Sequence, residues 1–87
     1  MRKAYTDALR KIFCEKIRLR RAALDISQEE MASRLEVATR AYINLEHGSS
    51  CCGALTLALF LIYVNDDATH FLNELRTAFE VCNREAA

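Results

Sequence analysis

Apolar residues recur at three- and four-residue intervals along almost the whole chain, with no stretch of strict alternation, so the pattern predicts helices and no strands. The first helix is expected over residues 7–24, capped by Thr6 or Asp7, with Ala8, Leu9, Ile12, Phe13 and Ile17 on its inner face. Tyr5 keeps the same spacing, which favours an extension of that helix into residues 1–11 over a loose basic arm. A second helix over 28–35 places Met31, Ala32 and Leu35 on one side, and the small Ala32 lets another helix pass close by. The third, over 39–47, answers with Val37, Tyr42 and Leu45, and Gly48 stops it as a left-handed cap. After a loop over 49–53, residues 54–64 are apolar apart from Thr56. One side of this fourth helix must pack on the domain and the other meets something else. Asp66 or Asp67 caps a fifth helix over 68–83, whose Phe71, Leu72, Leu75, Ala78, Phe79 and Cys82 form a broad apolar stripe.

The sharpest local signal is Ile26-Ser27-Gln28-Glu29-Glu30-Met31-Ala32. Ser27 caps the second helix, and Glu30 three residues later is placed to reach back to its backbone, a capping box. Two short helices joined by a tight turn follow from it.

Length and composition narrow the picture to one small all-α domain. The chain has 87 residues, no proline and glycine only at 48 and 53, which suits long helices with short connections. That length leaves no room for separate substrate and cofactor modules, so an enzyme is not expected, nor is a cofactor. The apolar segment 54–64 falls short of the roughly 20 residues a bilayer span needs. The opening Met1-Arg2-Lys3 lacks a secretory apolar core, and a cytoplasmic protein is expected. Leu57, Leu61, Phe71, Leu75 and Phe79 offer more apolar surface than one small core covers, and so predict a homodimer through helices four and five.

The formal net charge is zero, but its distribution is uneven. Arg2, Lys3, Arg10, Lys11, Lys16, Arg18, Arg20 and Arg21 all lie in the first 21 residues against Asp7 and Glu15. The rest of the chain holds only Arg34, Arg40, Arg76 and Arg84 against ten acids. The first helix is therefore the electropositive end, whether as a binding surface or as an ordinary solvated face. Cys14, Cys51, Cys52 and Cys82 show no C-x-x-C spacing, and His47 and His70 stand far apart, which is no pattern for zinc. Cys14 and Cys82 read as small core hydrophobes, and Cys51-Cys52 as a loop pair.

Residues 17–64 resemble the phage repressor and Cro type of helix-turn-helix domain, also called the Xre or lambda-repressor-like family. The likeness rests on Ile17, Arg21, the segment 26–32, Leu35-Glu36-Val37, Tyr42, Leu45-Glu46 and Gly48. It implies a five-helix lambda-repressor-like fold; with the N-terminal helix extension over 1–16, read from spacing, and the C-terminal helix over 66–84, a single domain occupies residues 1–87. It also implies that Arg21 pairs with Glu46, that Thr39, Arg40 and Asn44 reach base edges, and that Gln28 touches the DNA backbone. Physical chemistry allows each of these roles. Backbone N–H groups at the start of helix two attract a phosphate, and the outer side of helix three fits a major groove. Arg40 suits guanine, Asn44 suits adenine, and Ala41 or Ile43 suits a thymine methyl. Lys16 and Arg18 supply sequence-independent phosphate contacts. The chain departs from the family at Asp25 and Glu36, where glycine is usual, at Ala38, where a hydroxyl cap is usual, and at the non-basic loop Ser49-Ser50-Cys51-Cys52.

The expected function is a sequence-specific DNA-binding regulator, a repressor acting as a homodimer on a two-fold operator. The partners are then double-stranded DNA and a second copy. Three other readings stay open: an antitoxin of the same fold with a toxin partner, a protein-interaction module that has lost DNA binding, and a thiol redox sensor built on Cys51 and Cys52.

Overall fold

The computed structural model describes residues 2–86 and is all-helical. Its elements are α1 (Arg2–Leu24), α2 (Gln28–Arg34), α3 (Thr39–Glu46), α4 (Ala54–Leu59) continued by a π-helical turn (Phe60–Val64), and α5 (Ala68–Ala86). Long α1 and α5 run antiparallel, since Ala4 meets Cys82 at one end and Arg20 meets Asp66 at the other. Helix α3 and the π turn pack against the C-terminal half of α1, and α2 packs on α3.

The core is one contiguous cluster. Phe13 and Ile17 from α1, Met31 and Ala32 from α2, Tyr42 and Leu45 from α3, Phe60 and Val64 from the π turn, and Phe71 from α5 are all buried, together with Leu35. Phe60 sits between Phe13 and Phe71, with ring centroids 5.2 and 6.1 Å away, the tilted arrangement that aromatic quadrupoles favour. The π turn carries both Phe60 and Val64 buried in this cluster. Asn65 N–H closes it on the Phe60 carbonyl at 2.7 Å, and Arg20 Nε donates to the Val64 carbonyl at 2.7 Å. Helix four is thus not α-helical throughout, as the apolar pattern alone suggests.

Several expected details are corrected. Helix one starts at Arg2, and neither Thr6 nor Asp7 caps it. Thr6 returns its hydroxyl to the Arg2 carbonyl, and Asp7 bridges Lys3 at 2.9 Å and Arg10 at 2.8 Å. Such helix-spaced pairs support the extra turns. Ser27 does cap α2, accepting from Glu30 N–H at 3.1 Å, but the Glu30 carboxylate bonds Arg34 and the reciprocal half of the box is missing. Asp67 caps α5 through His70 N–H at 2.9 Å.

The apolar surface assigned to a dimer interface is also different. Phe71 is fully buried, Leu57, Leu61 and Leu75 pack on the core, and Phe79 is covered by Tyr5 at a ring distance of 4.7 Å. The exposed large apolar residues on helices four and five are instead Leu55, Ile62, Tyr63, Leu72 and Val81. Helical spacing locates a stripe, but which edge of it meets the core depends on the crossing of α1.

Three consecutive helices end in the same way. After α1, Asp25 N–H bonds Ala22 O and Ile26 N–H bonds Arg21 O; after α2, Glu36 bonds Ser33 O and Val37 bonds Ala32 O. After α3, Gly48 bonds Leu45 O and Ser49 bonds Asn44 O. These are Schellman caps, each needing a left-handed residue: Asp25 at φ 53°, Glu36 at φ 55° and Gly48 at φ 77°. Ile26 and Val37, the residues following the first two, tuck against the core.

Candidate nucleic-acid interface

The outer side of α3 exposes no acidic side chain between Thr39 and Leu45. Arg40, Ala41 and Asn44 are exposed, with Thr39 and Ile43 half-buried at its edges and exposed His47 extending it. Thr39 is the first helical residue; the cap position is Ala38, which makes no side-chain capping bond, so the Thr39 hydroxyl is not spent there. The acid of this helix, Glu46, is turned inward and is only 6% exposed.

What holds α3 in place is polar and comes from α1. Arg21 donates from Nε and Nη2 to both Glu46 oxygens, each at 2.8 Å, and from Nη1 to the Ile26 carbonyl at 3.1 Å. Cys14 Sγ donates to the Glu46 carbonyl at 2.9 Å. Burial pushes the Glu46 carboxyl upward, but Arg21, with Tyr42 and Gln28 beside it, outweighs that and holds it below the usual glutamate range. The Arg21 guanidinium is correspondingly raised by its hydrogen bond to Glu46. Burial, then the adjacent Glu46, pushes the Tyr42 hydroxyl up. That hydroxyl is enclosed without a hydrogen bond of good geometry.

The remaining site residues divide. Gln28 donates its side-chain amide to Glu46 at 3.3 Å, so it belongs to the clamp under α3 as much as to the surface. The first turn of α2 carries Glu29 and Glu30, which disfavours a phosphate there. Arg18 is exposed and shares a concavity with Lys11, His47 and Gly48, beside the end of α3. Lys16 lies roughly 160° around α1 from Arg18 by helical geometry. It is bound to Glu74 of α5 at 2.7 Å, away from the α3 surface. The structure therefore joins Arg18 to the candidate surface and separates Lys16 from it. Lys11 and His47 are additions; Lys11 is about two turns before Arg18 on the same side of α1, a spacing visible once the helix is known to be continuous.

All four cysteines are free thiols. Burial, with Cys51 adjoining, pushes the Cys52 thiol up to about 12, where it is scarcely nucleophilic at neutral pH. Among the described residues, no group of three or more His, Cys, Asp or Glu side chains is placed to hold a metal ion. No helix among them is long and apolar enough to cross a membrane.

Comparison with known proteins finds no matching family model, no matching curated protein and no matching solved structure.

Proposed function

We propose that this chain is a sequence-specific DNA-binding transcriptional regulator of the repressor and Cro helix-turn-helix type, inserting α3 into the major groove. It acts as a homodimer on a two-fold operator and represses by covering a promoter. The observation that carries this reading is the acid-free outer side of α3, with Arg40 and Asn44 exposed while Glu46 is buried against Arg21. A surface meant for phosphates and base edges must exclude carboxylates, because each one repels the DNA polyanion. Arg40 and Asn44 have the donor geometry for guanine and adenine, and Ala41 and Ile43 the apolar character for a thymine methyl. Arg18 and Lys11 supply positive charge at the end of the helix, beside His47.

One observation favours a second reading. Glu29 and Glu30 in the first turn of α2 and Glu36 in the α2–α3 turn are all exposed, as in a protein-interaction module that does not bind DNA. Selection of bound sequences from a random duplex pool at low salt separates the two. Enrichment of a two-fold symmetric motif is the expected result; absence of any DNA retention selects the interaction module.

A further inference from the structure

The N-terminal turns of α1 and the C-terminal half of α5 enclose an open groove of about 950 Å³. Its floor is Tyr5 and Leu9 from α1 with Leu75 and Phe79 from α5, all only half-buried although Tyr5 and Phe79 pack ring against ring. Leu72 carries the apolar surface onto one lip and is 51% exposed. Arg76 stands on that α5 lip and Arg2 on the α1 lip. Both are exposed, and neither is ion-paired with another described residue. Glu80 is the one acid among the described lining residues.

We infer that this groove receives a short amphipathic helix of another protein, one whose apolar stripe carries carboxylates along both edges. The inference goes beyond the DNA-binding reading and uses neither DNA nor the homodimer in it. Residues 72 to 83 of α5 rise roughly 16 Å, the length of three helical turns, and the furrow between two antiparallel helices is the shape that a third helix fills. An apolar stripe at three- and four-residue intervals on that third helix covers Leu72, Tyr5 and Phe79. Arg2 and Arg76 belong to different helices and face the furrow from opposite lips, so a carboxylate on each edge of the stripe meets a guanidinium. The chain's own helices do not supply this occupant. Exposed Leu55, Ile62 and Tyr63 of helix four lie in the segment 54–64, which has no charged residue, and Leu19 of α1 is flanked by Arg18 and Arg20. Leu72 and Val81 of α5 are separated by nine positions and so point to opposite sides of the helix. Helix four lies outside the groove and stays free for self-association. Tyr5 and Leu9 belong to the N-terminal extension, which thereby forms half of the docking furrow.

Fluorescence anisotropy of a labelled peptide of about 15 residues, with leucine at helical spacing and glutamate on both edges, tests this on the full chain without DNA. A twin peptide carries lysine in place of every glutamate. The acidic peptide should bind about tenfold more tightly than the twin, and NMR amide shifts in its complex should map to residues 2–9 and 72–83. Arg76→Glu, at an exposed site, should leave circular dichroism unchanged, weaken the acidic peptide about tenfold and strengthen the twin. Arg34→Glu, an exposed reversal on α2 outside the groove, should change neither affinity. Equal affinities for the two peptides, no binding at ~1 mM, or equal effects of the two reversals would each overturn the inference. Dimerisation of the chain alone that Arg76→Glu abolishes would overturn it too, by giving the groove to a second copy. So would saturation of the groove by dodecanoate and not by the acidic peptide, which assigns it to a small amphiphilic anion. None of these measurements contains DNA, so the DNA-binding reading stands or falls separately.

Discussion

Arg21 grips both oxygens of Glu46 while the two side chains stand in different surroundings: 7% of the Glu46 side chain is exposed and 28% of Arg21. The consequences of breaking the pair are therefore unequal. Arg21→Met strands a nearly buried carboxylate and should cost about 3 kcal/mol, the low end for a buried pair because one side is open to water. Glu46→Gln leaves a guanidinium that can rehydrate and an amide that can still accept a bond. It should cost about 1 to 2 kcal/mol. Urea unfolding of the two variants measures the difference, and equal losses would mean that Glu46 is better hydrated than its position indicates.

The same pair sets an acid response. In the folded protein the Glu46 carboxyl sits below its ordinary value of 4.5, so ionisation favours the fold. This contribution is complete above the unfolded value and disappears as pH falls through the lower folded value. The wild type should lose stability on acidification below about pH 4.5. In Arg21→Met burial is opposed only by the Tyr42 and Gln28 contacts, and the carboxyl should rise above its unfolded value. The sign reverses, and that variant should gain stability as pH falls from neutral towards the unfolded value. Melting temperatures of both proteins from pH 7 to pH 4 report the crossing slopes; parallel slopes would exclude the mechanism.

Two of the three left-handed cap positions carry residues with a Cβ. Glu36 at φ 55° is the costlier, since Asp25 has a short polar side chain that tolerates this region better. Relief of about 1 to 2 kcal/mol from backbone strain, less the greater entropy of an unfolded glycine, gives Glu36→Gly a net gain near ~1 kcal/mol. That corresponds to a rise in Tm of about 4 to 8 °C for a domain this size. Asp25→Gly should gain less. Gly48→Ala should lose stability although the new Cβ would meet only Cys14 Sγ at 3.5 Å and Cβ at 3.9 Å, because φ is 77°. Thermal unfolding of the three variants ranks them.

These caps show what the amino-acid pattern reveals and what it conceals. Gly48 is legible as a helix stop because glycine is the residue that a left-handed position favours. Asp25 and Glu36 give no such signal by residue type, and only the resemblance, in which glycine is usual at both positions, marks them; Ile26 and Val37 after them pack onto the core. The five helices, the inner residues Phe13, Ile17, Met31, Leu35 and Tyr42, and the Arg21–Glu46 pair are all readable from spacing or resemblance. The π turn at Phe60–Val64 is not, because a run that is apolar nearly all round carries no local mark of a change in winding. Lys16 and Arg18 look equivalent in a basic run. They differ because α5 crosses one side of α1 and leaves the other open, a relation between elements that no local pattern carries.

That separation makes a prediction about DNA. Arg40→Ala and Asn44→Ala should each cost about 1 to 3 kcal/mol of discrimination between selected and random duplexes, with the fold intact, since both side chains point away from the core. Arg18→Ala should weaken binding to every sequence alike and reduce the slope of log K against log salt by about 0.9 if it neutralises one phosphate. Lys16→Ala should leave both affinity and salt slope unchanged. Its bond to Glu74 is a partly exposed ion pair, and losing it should cost under ~1 kcal/mol of stability. For a dimer, lengthening the half-site separation by half a helical turn should be worse than any single base change, because one recognition helix then faces the wrong side of the duplex. Fluorescence anisotropy over a salt series reads all of these together. An equal loss of salt slope for Lys16→Ala and Arg18→Ala would place the DNA elsewhere on the molecule than against α3.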